Sequence, residues 1–356
     1  MQKQPQPKTW SSWSRHVLLS LGCILLLIAV MMILVDPYMH YHKPLSGLSF
    51  NFPPQRYGSD GIEKNFSYDA ILLGNSLAEN FKTSEFDALF DTHAVKLIFS
   101  GSYLQEMSMN LQNSFAYNDD IHVVLWSINY PYLLFDADLK AYSDTDYPTY
   151  LYDDNPFNDV HYLYNSFAIA RTLHTLFNTV RGKEAETFDD YSAWSAPTGR
   201  EAILQHYTRI EKTEPSSSDV NTQATTRTLA MNILPVIEAH PNTRFILFFP
   251  PYSIIWWDEA IRRNTLQEFL QGENVALTTL LSYDNVEVYC FHEAIDIYSD
   301  LNHYSDILHY NATINSWILN QIHAGKYRIT PANQEEHLNH VREILESYEY
   351  DAIYEQ

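Results

Sequence analysis

Tyr68–Gly74 reads YDAILLG and runs directly into Asn75-Ser76, after which Asn80–Phe90 (NFKTSEFDALF) carries the spacing of a helix. The same format returns at Val95–Ser100 (VKLIFS), which precedes the helix-like SYLQEMSMNLQNSF. His122–Ser127 (HVVLWS), Arg244–Pro250 (RFILFFP) and Val286–Phe291 (VEVYCF) supply three further runs. A short, continuous apolar run is what a strand shows when both of its faces are buried, and alternation with helical segments makes its neighbours parallel. The expected fold is therefore a three-layer α/β/α domain with a mostly parallel five-stranded sheet and right-handed crossovers. Its functional loops belong at the carboxyl ends of the strands.

The alternation lapses between residues 130 and 220, where a Tyr-, Asp- and Asn-rich stretch (YSDTDYPTYLYDDNPFNDVHYLYNSF) leads to the Ser-rich TEPSSSDVNTQATT. This is far longer than an ordinary connection of roughly 2–6 residues, so it reads as an insertion capping one edge of the sheet. Residues 330–356 read as an acidic, peripheral tail with one helix, leaving 68–329 for the domain proper.

At the other end, Val17–Val35 (VLLSLGCILLLIAVMMILV) contains no ionisable acid or base. Nineteen helical residues at 1.5 Å each reach about 28 Å, near the roughly 30 Å of a bilayer's hydrocarbon. The run exceeds the 7–15 apolar residues of a signal peptide and ends in Leu-Val-Asp-Pro-Tyr rather than a small-x-small site, so an uncleaved anchor is expected. Lys3, Lys8 and Arg15 precede it, which places residues 1–16 in the cytoplasm and the rest outside the cytoplasmic membrane. Residues 36–67, rich in Pro, Tyr, His and Gly, read as a stalk.

Of the 22 basic and 44 acidic residues, only those three basic ones fall within residues 1–35, so the remaining chain carries −25. That balance, with no basic stripe, excludes a nucleic-acid partner. It also suits a domain held off an anionic envelope surface. Cys290 is the one cysteine beyond the anchor, so no disulfide is expected in the exported part. No Gly-rich phosphate loop occurs and no cofactor is expected. His303, Asp306 and His309 share a spacing of three, but a third well-placed ligand with its supporting shell is not evident, and no metal is expected.

Ser76 stands where a strand gives way to a helix, a position at which a nucleophile projects into the crevice beside helix N-terminal amides. The same residues also describe a plain turn with a capping side chain. Downstream, Asp306 and His309 are spaced so that a carboxylate can orient an imidazole, and Asp300 with His303 offers the same spacing. A serine needs such a base, because its hydroxyl is a weak nucleophile at neutral pH.

Ser76 after the first strand and an Asp-x-x-His pair after the fifth resemble the SGNH (GDSL-like) hydrolase superfamily. Gly74-Asn75-Ser76 matches its first block with Asn for Asp, and Asp306–His309 its last. The anchored layout, Phe249-Pro-Pro-Tyr-Ser253 and YSDILHYNATINSWIL look like the exported branch related to the D-alanyl transfer protein of teichoic acid synthesis. The resemblance spans residues 68–325 apart from the insertion. It implies Ser76 as nucleophile, His309 as general base and acid, and Asp306 as its orienting group. The oxyanion would be held by the N–H groups of Ser76 and Gly101. The family's Gly-x-Asn-Asp donor is replaced by Trp126-Ser-Ile-Asn129-Tyr, which leaves Asn129 as the nearest match. The implied function is a serine esterase or O-acyltransferase acting on acylated envelope polysaccharide, with a membrane-bound O-acyltransferase as an implied partner. The rival reading is a non-catalytic glycan-binding or acyltransferase-partner protein. Asn311, inside the last block, begins an N-x-T sequon; a glycan there would block the site, which fits a bacterial source.

Overall fold

A computed structural model describes residues 8–142, 147–214 and 222–355. The start of the basic stub and much of the Ser-rich stretch lie outside them. Two compact units emerge, one holding the chain up to Asn65 together with Tyr147–Glu186, the other Phe66–Asp146 with Thr187 onward.

The second unit is α/β. Its six-stranded sheet runs in the order β2-β1-β3-β4-β5-β6, with β1 Ala70–Gly74, β2 Ala94–Ile98, β3 Val123–Ser127, β4 Arg244–Phe249, β5 Val286–Cys290 and β6 Arg328–Ile329. The first five strands pair in parallel, as their sequences led one to expect. Every residue of β1 and β2 is buried, which explains their unbroken apolar runs. The expected count of five strands is corrected to six, in a mixed sheet. β6 pairs antiparallel with β5 through Ile329 and Arg328, and two residues are too few to show a period of two. The chain enters it through residues of positive φ, Gly325 and Tyr327, and this tight reversal permits the antiparallel pairing.

Gly74 closes β1 under tight constraint. A Cβ there would lie 2.6 Å from the Cβ of Ala78 and 3.0 Å from that of Ser127, so only glycine lets the next turn fold back against β3. The segment 330–356 contains helix Gln334–Ser347, whose Leu338, Val341 and Leu345 are buried while its other face is solvated. It is an amphipathic element of the unit's core and not a loose appendage.

The first unit gathers around Met32, Tyr38, Leu151, Tyr162 and Ala168. Helix α1 spans Lys8–Val35 and is long and apolar enough, from Ser12, to cross a membrane. It ends at Asp36, whose carboxylate accepts the N–H groups of His40, Tyr41 and His42 and the Tyr162 hydroxyl at 2.6 Å. Residues 36–67, expected as a stalk, contain helix α2 (Gln55–Asn65), in which Gly61 lies against the backbone of Tyr38 and Met39. The insertion is likewise divided. Its middle, including helix Ser166–Val180, belongs to this unit and not to the edge of the sheet.

Candidate active site

Parallel pairing brings the loops after β1, β2 and β3 to one sheet edge. Leu73 lies opposite Trp126, so Ser76 and Asn129 follow equal distances beyond their paired positions, and the Phe99 N–H donates to the Gly74 carbonyl just before Gly101. Ser76 opens a 3₁₀ turn, Ser76–Ala78, capped by the Asn75 side chain, which accepts from the Leu77 N–H. Asn315 donates to the Leu77 carbonyl at 2.9 Å and ties the turn to helix Ala312–His323. The bland reading of this segment is thus true as far as it goes: the turn is capped, but by Asn75, which leaves the Ser76 hydroxyl for other work.

That hydroxyl lies 2.8 Å from His309 Nε2. On the other side of the ring, Nδ1 is 2.7 Å from Asp306 Oδ2. Asp306 uses its second oxygen to accept the N–H groups of Leu308 and His309, both at 2.7 Å, so one carboxylate shapes the loop and holds the ring. The loop is closed by the Tyr304–Tyr310 bridge and by Ser305 N–H donating to the His309 carbonyl. It is pinned from below by the Tyr304 hydroxyl on the Pro251 carbonyl and by Ser253 Oγ on the Ile307 carbonyl.

His309 is 30% exposed at its side chain and Asp306 51%, so the site opens to solvent. The Asp306 hydrogen bond raises the His309 pKa above its ordinary 6.5, against the opposing effect of burial, with Glu79 adding a smaller push. Burial works to raise Asp306, but the hydrogen bonds from His309 and the loop N–H groups carry it below the usual carboxylate value. Asp300 and His303 stand 3.6 Å apart, with Asp300 occupied by Asn302, and they form no link to Ser76. The structure therefore brings together the later pair.

Gly101 sits in the turn after β2 with φ +69°, a conformation that glycine adopts without strain. Neither its N–H nor that of Ser76 has an acceptor among the described residues. Asn129 is buried, and its Oδ1 lacks a partner among the described residues. Nearby, the buried hydroxyls of Ser102 and Ser127 also have none, so unpaired polar atoms collect at the ends of β2 and β3.

Sequence reading missed three neighbours. Trp194 stands edge-on to His309 at 5.9 Å between ring centroids, and its backbone N–H donates to the Asn80 side-chain oxygen. Glu79 takes the Ser100 hydroxyl. Lys96, in the middle of β2, is fully buried and donates to the Glu79 carbonyl at 2.9 Å; burial lowers its pKa to about 8 even though Asp189, Glu79 and Asp190 oppose that shift. Trp257 is buried in the core and Trp256 packs on Tyr252 and Phe269, so neither indole stands free as a platform for a sugar ring.

A second His-carboxylate constellation lies in the core. Glu273, Cys290 and His337 form the one group of three metal-type donors within 4.8 Å of one another among the described residues. Glu273 Oε1 accepts from Cys290 Sγ and from His337 Nε2, each at 3.0 Å, and Oε2 accepts from His292 Nδ1 at 3.1 Å. His337 Nδ1 donates to Glu293 at 2.6 Å. A doubly protonated His337 serves both carboxylates, while the buried Nε2 of His292 has no partner among the described residues. Burial works against a charged Glu273, yet the two imidazoles hold its carboxyl well below the usual range.

No family model, curated protein or solved structure matches the chain. The reading of the site accordingly rests on its own geometry.

Proposed function

We propose that this protein is a membrane-anchored serine esterase or O-acyltransferase of the SGNH type, working on acylated envelope glycans through an acyl-enzyme. One observation carries the reading: Ser76 Oγ, His309 Nε2, His309 Nδ1 and Asp306 Oδ2 follow one another in an unbroken chain of hydrogen bonds at 2.8 and 2.7 Å. In this mechanism Ser76 attacks the ester carbonyl as its proton passes to His309 Nε2, and Asp306 stabilises the imidazolium. The unoccupied N–H groups of Ser76 and Gly101 receive the oxyanion. The tetrahedral intermediate collapses, the alcohol departs with the proton from His309, and the acyl group stays on Ser76. Water or a sugar hydroxyl then gives up its proton to His309 and attacks the acyl-enzyme; the acyl–Oγ bond breaks, His309 returns the proton to Ser76, and an acid or a new ester is released. The sheet is read as the middle of a three-layer SGNH domain. The anchor is read as α1, with its N-terminus cytoplasmic and a membrane-bound O-acyltransferase as partner.

The test is labelling of the full-length protein by a fluorophosphonate probe, beside Ser76→Ala. Ser76-dependent labelling together with acyl release from an O-acetylated or aminoacylated glycan is expected. If neither occurs, the enzyme reading falls and the non-catalytic binding role takes its place.

A further inference from the structure

Helix Ser166–Val180 has its polarity reversed. The residues it buries within the first unit are Ala168, Thr172, Thr175 and Asn178. Those it turns outward include Phe167 at 78% exposed, Val180 at 88%, and Leu173 and Phe177, each more than half exposed. A helix on the surface of a water-soluble body shows the opposite arrangement. Phe157, in the approach to this helix, is more exposed still, and on the helix itself the outward apolar residues outnumber polar ones such as the exposed His174.

The position of this face relative to α1 indicates what covers it. The Tyr164 hydroxyl donates to the carbonyl of Leu25, near the middle of the membrane-length segment Ser12–Val35. Ile28 and Met32 of α1 pack in the unit's core, and Thr172 reaches the Met32 sulfur. If the folded body began where hydrocarbon ended, only Val17–Leu27 would remain for lipid. Those residues span about 16 Å of a core about 30 Å thick. The shortfall disappears when the flank of the body is itself immersed. Arg181 then lies suitably at the helix end, its guanidinium over the Phe177 ring at 5.0 Å and free to reach the headgroup region.

We propose that helix Ser166–Val180 packs beside α1 within the bilayer and presents Phe167, Leu173, Phe177 and Val180 to the acyl chains of the leaflet at the carboxyl end of α1. This replaces the picture of a stalk that holds the chain clear of the membrane. It depends on α1 crossing the bilayer and is independent of the Ser76 chemistry.

Photocrosslinking tests it on the full chain in phosphatidylethanolamine/phosphatidylglycerol nanodiscs. p-Benzoylphenylalanine is placed at Leu173 or Phe177, at Leu19 of α1 as a lipid-facing reference, and at Met109 as an exposed position in the second unit. Lipid adducts at Leu173 and Phe177 comparable to those at Leu19, and several-fold above Met109, are expected by mass spectrometry. Adducts at Leu19 alone overturn the proposal, as do adducts at 173 and 177 to a second polypeptide instead of lipid. Absence at all three overturns it together with the membrane reading of α1.

Discussion

The Ser76 site and the Glu273 cluster are built from the same two groups, an imidazole and a carboxylate, within one unit, and they differ in what surrounds them. His309 keeps one nitrogen for Asp306 and turns the other toward a hydroxyl at an open sheet edge. His292 and His337 turn theirs toward a fully buried Glu273, which Cys290 also contacts. A proton on His309 has somewhere to go. A proton in the core network is enclosed, and moving it would leave a buried charge unpaired, at a cost of several kcal/mol. Placement, more than residue type, separates an open imidazole–carboxylate pair that could pass a proton from an enclosed one.

Ser76→Ala gives the sharpest contrast. Acyl release should fall by about four to six orders of magnitude, while thermal unfolding stays close to the parent's, since the hydroxyl supports no core contact. A large loss of stability would mean that Ser76 belongs with the structural group after all.

Asp306→Asn comes next, with an expected loss of about four orders of magnitude from the wrong tautomer. It also carries a pH signature. His309 must be neutral to accept a proton, and its pKa is raised above 6.5 mainly by the Asp306 bond, so the acid limb of wild-type kcat/KM lies above that value. Removing the carboxylate should move the limb to lower pH. A limb that does not move would separate Asp306 from the base.

In the core, Glu273→Gln should cost about 3–5 kcal/mol in denaturant unfolding by stranding a protonated imidazole. Probe labelling per folded molecule should be unchanged. Loss of labelling without loss of stability would break the comparison outright.

The smallest effect tests a buried charge with less compensation. Lys96 has a folded pKa of about 8 against an ordinary 10.5, so between those values the unfolded chain holds a proton that the folded chain has released. Wild-type stability should therefore rise across that window. Lys96→Met should be modestly more stable at neutral pH, and its advantage should shrink as pH climbs from about 8 to 10.5. A constant difference would place the Lys96 ammonium in contact with solvent.

Five strands and the Ser76, Asp306 and His309 positions could be read from the sequence because each leaves a local mark: an apolar run, a turn, a spacing of three. The remainder leaves none. Nothing in VKLIFS marks Lys96 as special, since its buried setting depends on Glu79 and on Asp189 and Asp190 from within the insertion. Glu273 meets Cys290 and His337 across separations of 17 and 64 residues, which no periodicity reports. The insertion resisted reading because its middle folds with α1, and its helix carries an outward apolar stripe that would ordinarily be taken as core-facing.

Asp306 and His309 share one loop, bridged at Tyr304–Tyr310 and fastened through Ile307 to Ser253, so any displacement of that loop would carry the two together. It would lengthen the gap to Ser76 and leave the spacing within the pair intact. Under the proposed chemistry, such a displacement would part His309 from Ser76 while leaving the ring's tautomer set, so a returning loop would need no search over ring orientations.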